Sequence, residues 1–126
     1  MYEGIKLKPL IWVGSSKDDL LEFSEEIRSS VGYALYLAQK GERYVHSKVL
    51  KGFGGAGVIE IIERDESGTF RVVYTIKMPK IVFVLHAFQK KSKHGIKTPK
   101  QEIDLIKKRL KEAQEIYKEL IDDKKI

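Results

Sequence analysis

Between Val58 and Phe88 three β-prone runs follow one another: Val58-Ile59-Glu60-Ile61-Ile62, Thr69 to Ile76, and Lys80 to Phe88. A short spacer with the turn Asp65-Glu66-Ser67-Gly68 joins the first two, and one with Met78-Pro79 the last two. A parallel crossover needs roughly a dozen residues, so spacers this short permit antiparallel neighbours alone, a meander of three strands. In the third run Ile81, Phe83, Leu85 and Ala87 point one way, and Val82, Val84, His86 and Phe88 the other. Both faces are apolar, which makes it a central strand that needs cover on both sides.

The flanking sequence supplies that cover. Leu10-Ile11-Trp12-Val13 reads as a short buried strand inside the sheet, ended by Gly14. Ser15 and Ser16 each have an acidic residue three positions on, a capping-box pattern that starts a helix. From Leu20 the residues Phe23, Ile27, Val31, Ala34, Leu35 and Ala38 recur at helical spacing until Gly41, with a break expected near Ser29, Ser30 and Gly32. Tyr33 and Tyr36 belong to packing or to the helix surface. Thr98-Pro99-Lys100-Gln101 combines an N-cap Thr with Pro at the first helical position, and Ile103, Ile106, Leu110, Ala113, Tyr117 and Leu120 form the stripe of a second long helix. Asp122 to Ile126 is expected to fray. The fold class is α+β: an N-terminal helical region and a C-terminal helix on a small, mostly antiparallel sheet. The 126 residues fit one domain, 1–126, with a core over about residues 10–120.

Several function classes fall away. The chain has no cysteine, which excludes disulfide scaffolds, thiolate metal sites and cysteine nucleophiles. The three histidines are scattered without an adjoining Asp or Glu, so no metal and no cofactor are expected. The apolar run Leu10 to Val13 is far short of the roughly 20 residues of a membrane span, which points to a cytoplasmic protein without a membrane partner. Gly52-Phe53-Gly54-Gly55-Ala56-Gly57 matches a dinucleotide fingerprint by letter, but it follows the polar segment Arg43 to Lys51 and precedes a β-branched run. A phosphate loop needs a helix N-terminus there, so these glycines read as a mobile loop that lets backbone pass close to a partner.

Charge is the remaining signal. From Ser67 to Gln101 there are eight cations (Arg71, Lys77, Lys80, Lys90, Lys91, Lys93, Lys97, Lys100) and no Asp or Glu, an excess larger than the +6 of the whole chain. Concentrated positive potential beside apolar sequence suits a polyanion, most often nucleic acid. Such a surface can also cut RNA. Attack of a ribose 2′-hydroxyl on the adjacent phosphate needs a proton acceptor, a proton donor and stabilising cations, and crowded lysines lose basicity enough to exchange protons.

Arg71 lies among strand residues, where a charge either pairs with a carboxylate such as Glu60 or Glu63 or faces a site. Lys90 and Lys91 follow the apolar strand, where they either face a site or solvate its end. Lys48 and Lys51 flank the glycine loop, and Lys77 and Lys80 are expected to be merely solvated. His86 alternates with Val84 and Phe88 and reads as a hydrogen-bonded core histidine. His46 and His94 sit in polar loops.

The segments Lys48-Val49-Leu50-Lys51-Gly52-Phe53, Phe70-Arg71-Val72-Val73-Tyr74 and Leu85-His86-Ala87-Phe88-Gln89-Lys90-Lys91, leading to Lys97-Thr98-Pro99, resemble the phage-derived Gp49-like family, the HigB-type toxins of the RelE superfamily. The likeness runs upstream through Gly32 to Gly41 and covers about Leu10 to Leu120. It implies a RelE-like fold and a ribosome-dependent mRNA endonuclease, neutralised by a HigA-like helix-turn-helix antitoxin encoded nearby. Arg71 matches the strand arginine that stabilises the scissile phosphate, and Lys90 the basic residue past the last strand. Lys48 and Lys51 fall near the first basic positions, and Gln89, Lys93 and Lys97 complete the RNA-binding set. Some RelE-like toxins use a tyrosine after the last strand. Here Gln89, Lys90 and Lys91 occupy that region, which makes His94, Lys91 or Lys93 the candidate proton donor. The alternatives are a non-catalytic RNA- or ribosome-binding protein of the same fold, and a partner whose basic face serves only an acidic antitoxin segment.

Overall fold

A computed structural model of the chain describes residues 6–90 and 97–126. The three β-prone runs form the expected meander: β3 (Val58–Asp65), β4 (Gly68–Thr75) and β5 (Val82–Lys90) pair antiparallel in succession. Asp65 holds the first turn by accepting from the backbone N–H and the hydroxyl of Ser67 at 2.7 and 2.6 Å. That hydroxyl bond draws the Asp65 carboxyl below its ordinary value. Two short strands complete the sheet, β1 (Leu10–Trp12) parallel to β5 and β2 (Ser47–Val49) antiparallel to β3, in the order β1-β5-β4-β3-β2.

Two of these strands depart from expectation. Of the apolar run Leu10 to Val13, the strand Leu10–Trp12 is at the sheet's end and half-buried, not inside it, because its only sheet partner is β5, while Val13 beyond it is buried. Ser47–Val49, within a segment read as polar, is a strand because β3 offers it an edge.

One face of the sheet is covered by α1 (Ser16–Leu21) and α2 (Glu25–Gln39). Leu20, Phe23, Ile27, Val31, Ala34, Leu35 and Ala38 pack there against Ile59, Ile61, Phe70, Val72, Tyr74, Val82 and Val84. The helical stripe is read correctly, but the break is earlier than expected. Ser24 starts α2 by accepting from the Ile27 N–H at 3.3 Å, while Ser29, Ser30 and Gly32 lie inside the helix. Ser15 makes no capping bond to backbone and donates instead to Asp19 at 2.7 Å.

The other face carries α3 (Lys100–Asp122), whose Ile106, Leu110 and Ala113 pack with Val58, Val73, Phe83 and Leu85. The cap is shifted by one residue from expectation: Pro99 is the N-cap, with φ −58° and ψ 151°, and accepts from the Glu102 and Ile103 amides at 3.0 Å. The Thr98 hydroxyl is thereby released for another partner.

A bulge decides the side on which His86 lies. Val73 is opposite His86 but Tyr74 is opposite Val84, so Leu85 is the extra residue and the strand's alternation reverses there. Leu85 and His86 both reach the α3 face, and Ala87 packs with the α1–α2 cluster. Strict alternation had put His86 with Val84 and Ala87 with Leu85. The bulge breaks that assignment, although His86 is, as expected, a buried histidine with hydrogen-bond partners.

Candidate functional site

Period-two alternation and register bring charge to the α3 face. Glu60 points there because Ile59 and Ile61 point to α2, and Lys48 is directly opposite it on β2. Arg71 lies on the same face of β4, since Val72 belongs to the other cluster. The result is a buried carboxylate with two hydrogen-bond donors and an ammonium close by. Glu60 is 0% exposed; its Oε1 accepts from Arg71 Nη1 at 2.7 Å and lies 3.8 Å from Lys48 Nζ. Its Oε2 accepts from the Thr98 hydroxyl at 2.7 Å. Burying a carboxylate is costly unless it is paired and hydrogen-bonded, and the guanidinium beside it offsets that cost.

Of the two readings of Arg71, the pairing with Glu60 is therefore realised: the residue is 1% exposed and is held by the carboxylate. Lys48 differs. It spans from the buried carboxylate to the surface, with its side chain 44% exposed. Next to it a cavity of about 430 Å³ opens between β2 and the start of α3, lined by Lys48, Val49, Leu50, Lys51, Lys97, Thr98 and Ile103. Lys90, the last residue of β5, donates to the Lys97 carbonyl at 3.0 Å and so reaches the segment that borders the cleft. Lys48, Lys51 and Lys97 line the cleft beside the α3 N-terminus, whose partial positive charge adds to theirs.

Gln89 is not brought into this group. It faces the α1–α2 side, opposite Phe70, and donates to the Ser67 carbonyl at 2.9 Å. Lys91, Lys93 and His94 lie outside the described residues. Lys77 is not merely solvated, because its ammonium donates to the Phe53 carbonyl and buried Phe53 anchors the glycine loop. Strands β2 and β3 flank that loop, so its glycines open no helix. His46 lies 3.2 Å from Glu63. The Tyr44 hydroxyl, hydrogen-bonded to the same carboxylate and partly buried, has its pKa pushed up to about 12.

A second polar group on the α3 face had no sequence signal, since its members are far apart in the chain. His86 Nε2 bonds to Glu102, and Arg109 Nη1 donates to the Leu85 carbonyl at 3.0 Å and lies 3.4 Å from His86 Nδ1. Arg109 Nη2 also donates to Ser15 at 3.0 Å. These partners assign the donating hydrogen of His86 to Nε2 and tie α3 to the sheet and to the β1–α1 turn. Gly14 makes room for the tie. Its φ is +57°, and a Cβ there would lie 2.7 Å from Arg109 Nε. Glu60 was foreseen only as a partner for Arg71 and Thr98 only as a cap; their bond joins strand and helix. Among the described residues no group of three or more His, Asp or Glu is placed to hold a metal ion, and no helix is long and apolar enough to cross a membrane.

Residues 18–111 match the family model described as phage derived protein Gp49-like (DUF891). No curated protein matches the chain. Among solved structures, an arginine double mutant of the E. coli toxin RelE in the free state is similar at TM-score 0.56 and 16% identity, covering 84% of this chain and 97% of that one. The toxin–antitoxin complex RelBE2 from Mycobacterium tuberculosis is similar at TM-score 0.48 and 18% identity, over 72% of this chain and 100% of that one.

Proposed function

Because the chain belongs to the phage-derived Gp49-like family and shares the fold of RelE, we propose that it is the toxin of a type II toxin–antitoxin pair, an endoribonuclease that cuts mRNA on the ribosome. The observation that carries this reading is that Lys48, Lys51 and Lys97 line one cleft beside the start of α3, with Lys90 tied to it through the Lys97 carbonyl. A cation cluster of that kind binds the phosphates of an RNA strand and offsets the charge that builds up when one of them is attacked.

In the proposed reaction a ribose 2′-oxygen bonds to the adjacent phosphorus while the bond to the 5′-oxygen breaks. The 2′-hydroxyl gives up its proton to a base, an acid protonates the departing 5′-oxygen, and the products are a 2′,3′-cyclic phosphate and a 5′-hydroxyl. Lys90, Lys91 and His94 are the candidates for the proton transfers. Arg71 is the candidate for stabilising the phosphate. Arg71 is 1% exposed with Nη1 bonded to Glu60, so it reaches a phosphate only if the groups that cover it move aside. A HigA-like helix-turn-helix antitoxin encoded nearby would silence the protein by covering the same cations.

The burial of Arg71 favours a second reading, a non-catalytic RNA- or ribosome-binding protein of the same fold. Purified 70S ribosomes programmed with a reporter mRNA separate the two. The enzyme reading expects cleavage products that disappear in Lys90→Ala while ribosome binding persists. Binding without cleavage by the unmodified protein supports the second reading.

A further inference from the structure

The cleft between β2 and the start of α3 has more than cations. Its walls include Leu50, which is 6% exposed and part of the core, and Ile103, half-buried against the same cluster. An apolar floor under a cationic rim is unsuited to a bare phosphate, which needs only donors. It suits a ligand with a flat apolar body and an anionic edge, and about 430 Å³ is in the range of small-ligand pockets.

The backbone of β2 adds a recognition element. The Leu50 N–H donates to the Val58 carbonyl and the Ile62 N–H to the His46 carbonyl, at 2.8 and 2.9 Å. With Lys48 paired to Glu60, the groups that face β3 belong to residues 46, 48 and 50. The N–H and C=O of Val49 therefore point to the open side of the sheet, at the cleft that Val49 lines. They present one donor and one acceptor side by side. Every RNA base carries the complementary pair on its Watson–Crick edge.

We propose that this cleft takes one unstacked nucleotide of single-stranded RNA, its base over Leu50 and Ile103 with its edge on the Val49 backbone, and its phosphate between Lys51 and Lys97. The inference rests on the RNA reading above and adds where a base goes. Since the donor and acceptor fit all four bases, the site requires a base but discriminates weakly among them. Affinity comes from apolar burial and from phosphate charge, and these two parts separate experimentally.

The test is fluorescence anisotropy with a labelled 2′-O-methyl RNA trinucleotide, which the proposed reaction cannot cleave, and with a spacer trimer of equal phosphate count that lacks all bases. The full-length protein is expected to bind the trinucleotide about tenfold more tightly than the spacer. Changing the base sequence is expected to alter affinity by less than about threefold. Ile103→Ala is expected to weaken the trinucleotide about fivefold and to leave the spacer unchanged. Should that variant fail to fold, the comparison of the two ligands on the unmodified protein still decides. Equal binding of trinucleotide and spacer overturns the base site and leaves the RNA reading standing. Binding of neither at low salt overturns the base site too, and cleavage by programmed ribosomes then decides whether the RNA reading falls with it.

Discussion

The two faces of the sheet solve the same burial problem with different chemistry. Toward α1 and α2 the buried positions of the central strands are apolar: Ile59, Ile61, Phe70, Val72, Tyr74, Val82 and Val84. Toward α3 the apolar cover from Ile106, Leu110 and Ala113 gives way to Glu60, Arg71 and His86, all buried. Ionic groups at such depth contribute little net stability when paired and cost a great deal when one partner is lost. The α1–α2 face is a scaffold, and the α3 face gives up the simplest packing in order to hold charge at the edge of a cleft.

Breaking the ion pair is the severest test of that contrast. Arg71→Ala leaves Glu60 buried with a weakened set of donors and is expected to cost about 3–5 kcal/mol in urea unfolding. The double replacement Glu60→Leu with Arg71→Met is expected to recover most of that stability and none of the RNA affinity; recovery of both would mean that the pair is structural only. On the scaffold face, Ile61→Ala is expected to cost about 2–5 kcal/mol through cavity formation while ribosome affinity per folded molecule is unchanged. Gly14→Ala forces a side chain into left-handed backbone and against Arg109, for an expected loss of about 1–2 kcal/mol. Repacking without loss would show that the Arg109 tie is dispensable.

The smallest effect concerns pH. Tyr44 has its pKa raised from its ordinary value near 10 to about 12 by its hydrogen bond to Glu63 and by burial. A raised folded-state value means that its stabilisation is complete below pH 10 and is lost as pH climbs toward 12. Alkaline melts of Tyr44→Phe are therefore expected to decline less steeply over that window than those of the unmodified protein.

What could be read in the sequence follows the same division. The meander, the α2 stripe and the α3 stripe were legible because period and spacer length are local properties. The rejection of the glycine motif rested on local context as well, and strands do flank it. The Leu85 bulge was not legible, since alternation in one strand says nothing of an extra residue relative to its neighbour, and His86 changed face as a result. The short strand β2 needed the β3 edge to form. The His86–Glu102–Arg109–Ser15 group joins residues up to 94 apart, beyond any sequence window. Charge density identified the basic region, but only register separated Lys90 on the cleft side from Gln89 on the opposite side.

An RNA-cleaving surface built from the α3-face cations must lose its activity with them. Primer extension on a reporter mRNA, in cells induced for the unmodified protein or for a Lys48→Ala, Lys90→Ala double variant, is the decisive measurement. Lys48 is partly exposed and Arg71 and Thr98 still hold Glu60 without it, so the variant is expected to stay folded, with a loss of about 1 kcal/mol that urea unfolding measures. The predicted result is growth arrest with discrete cleavage stops for the parent, and neither for the variant. Intact mRNA in cells producing folded parent protein, or undiminished cleavage by the variant, would contradict it.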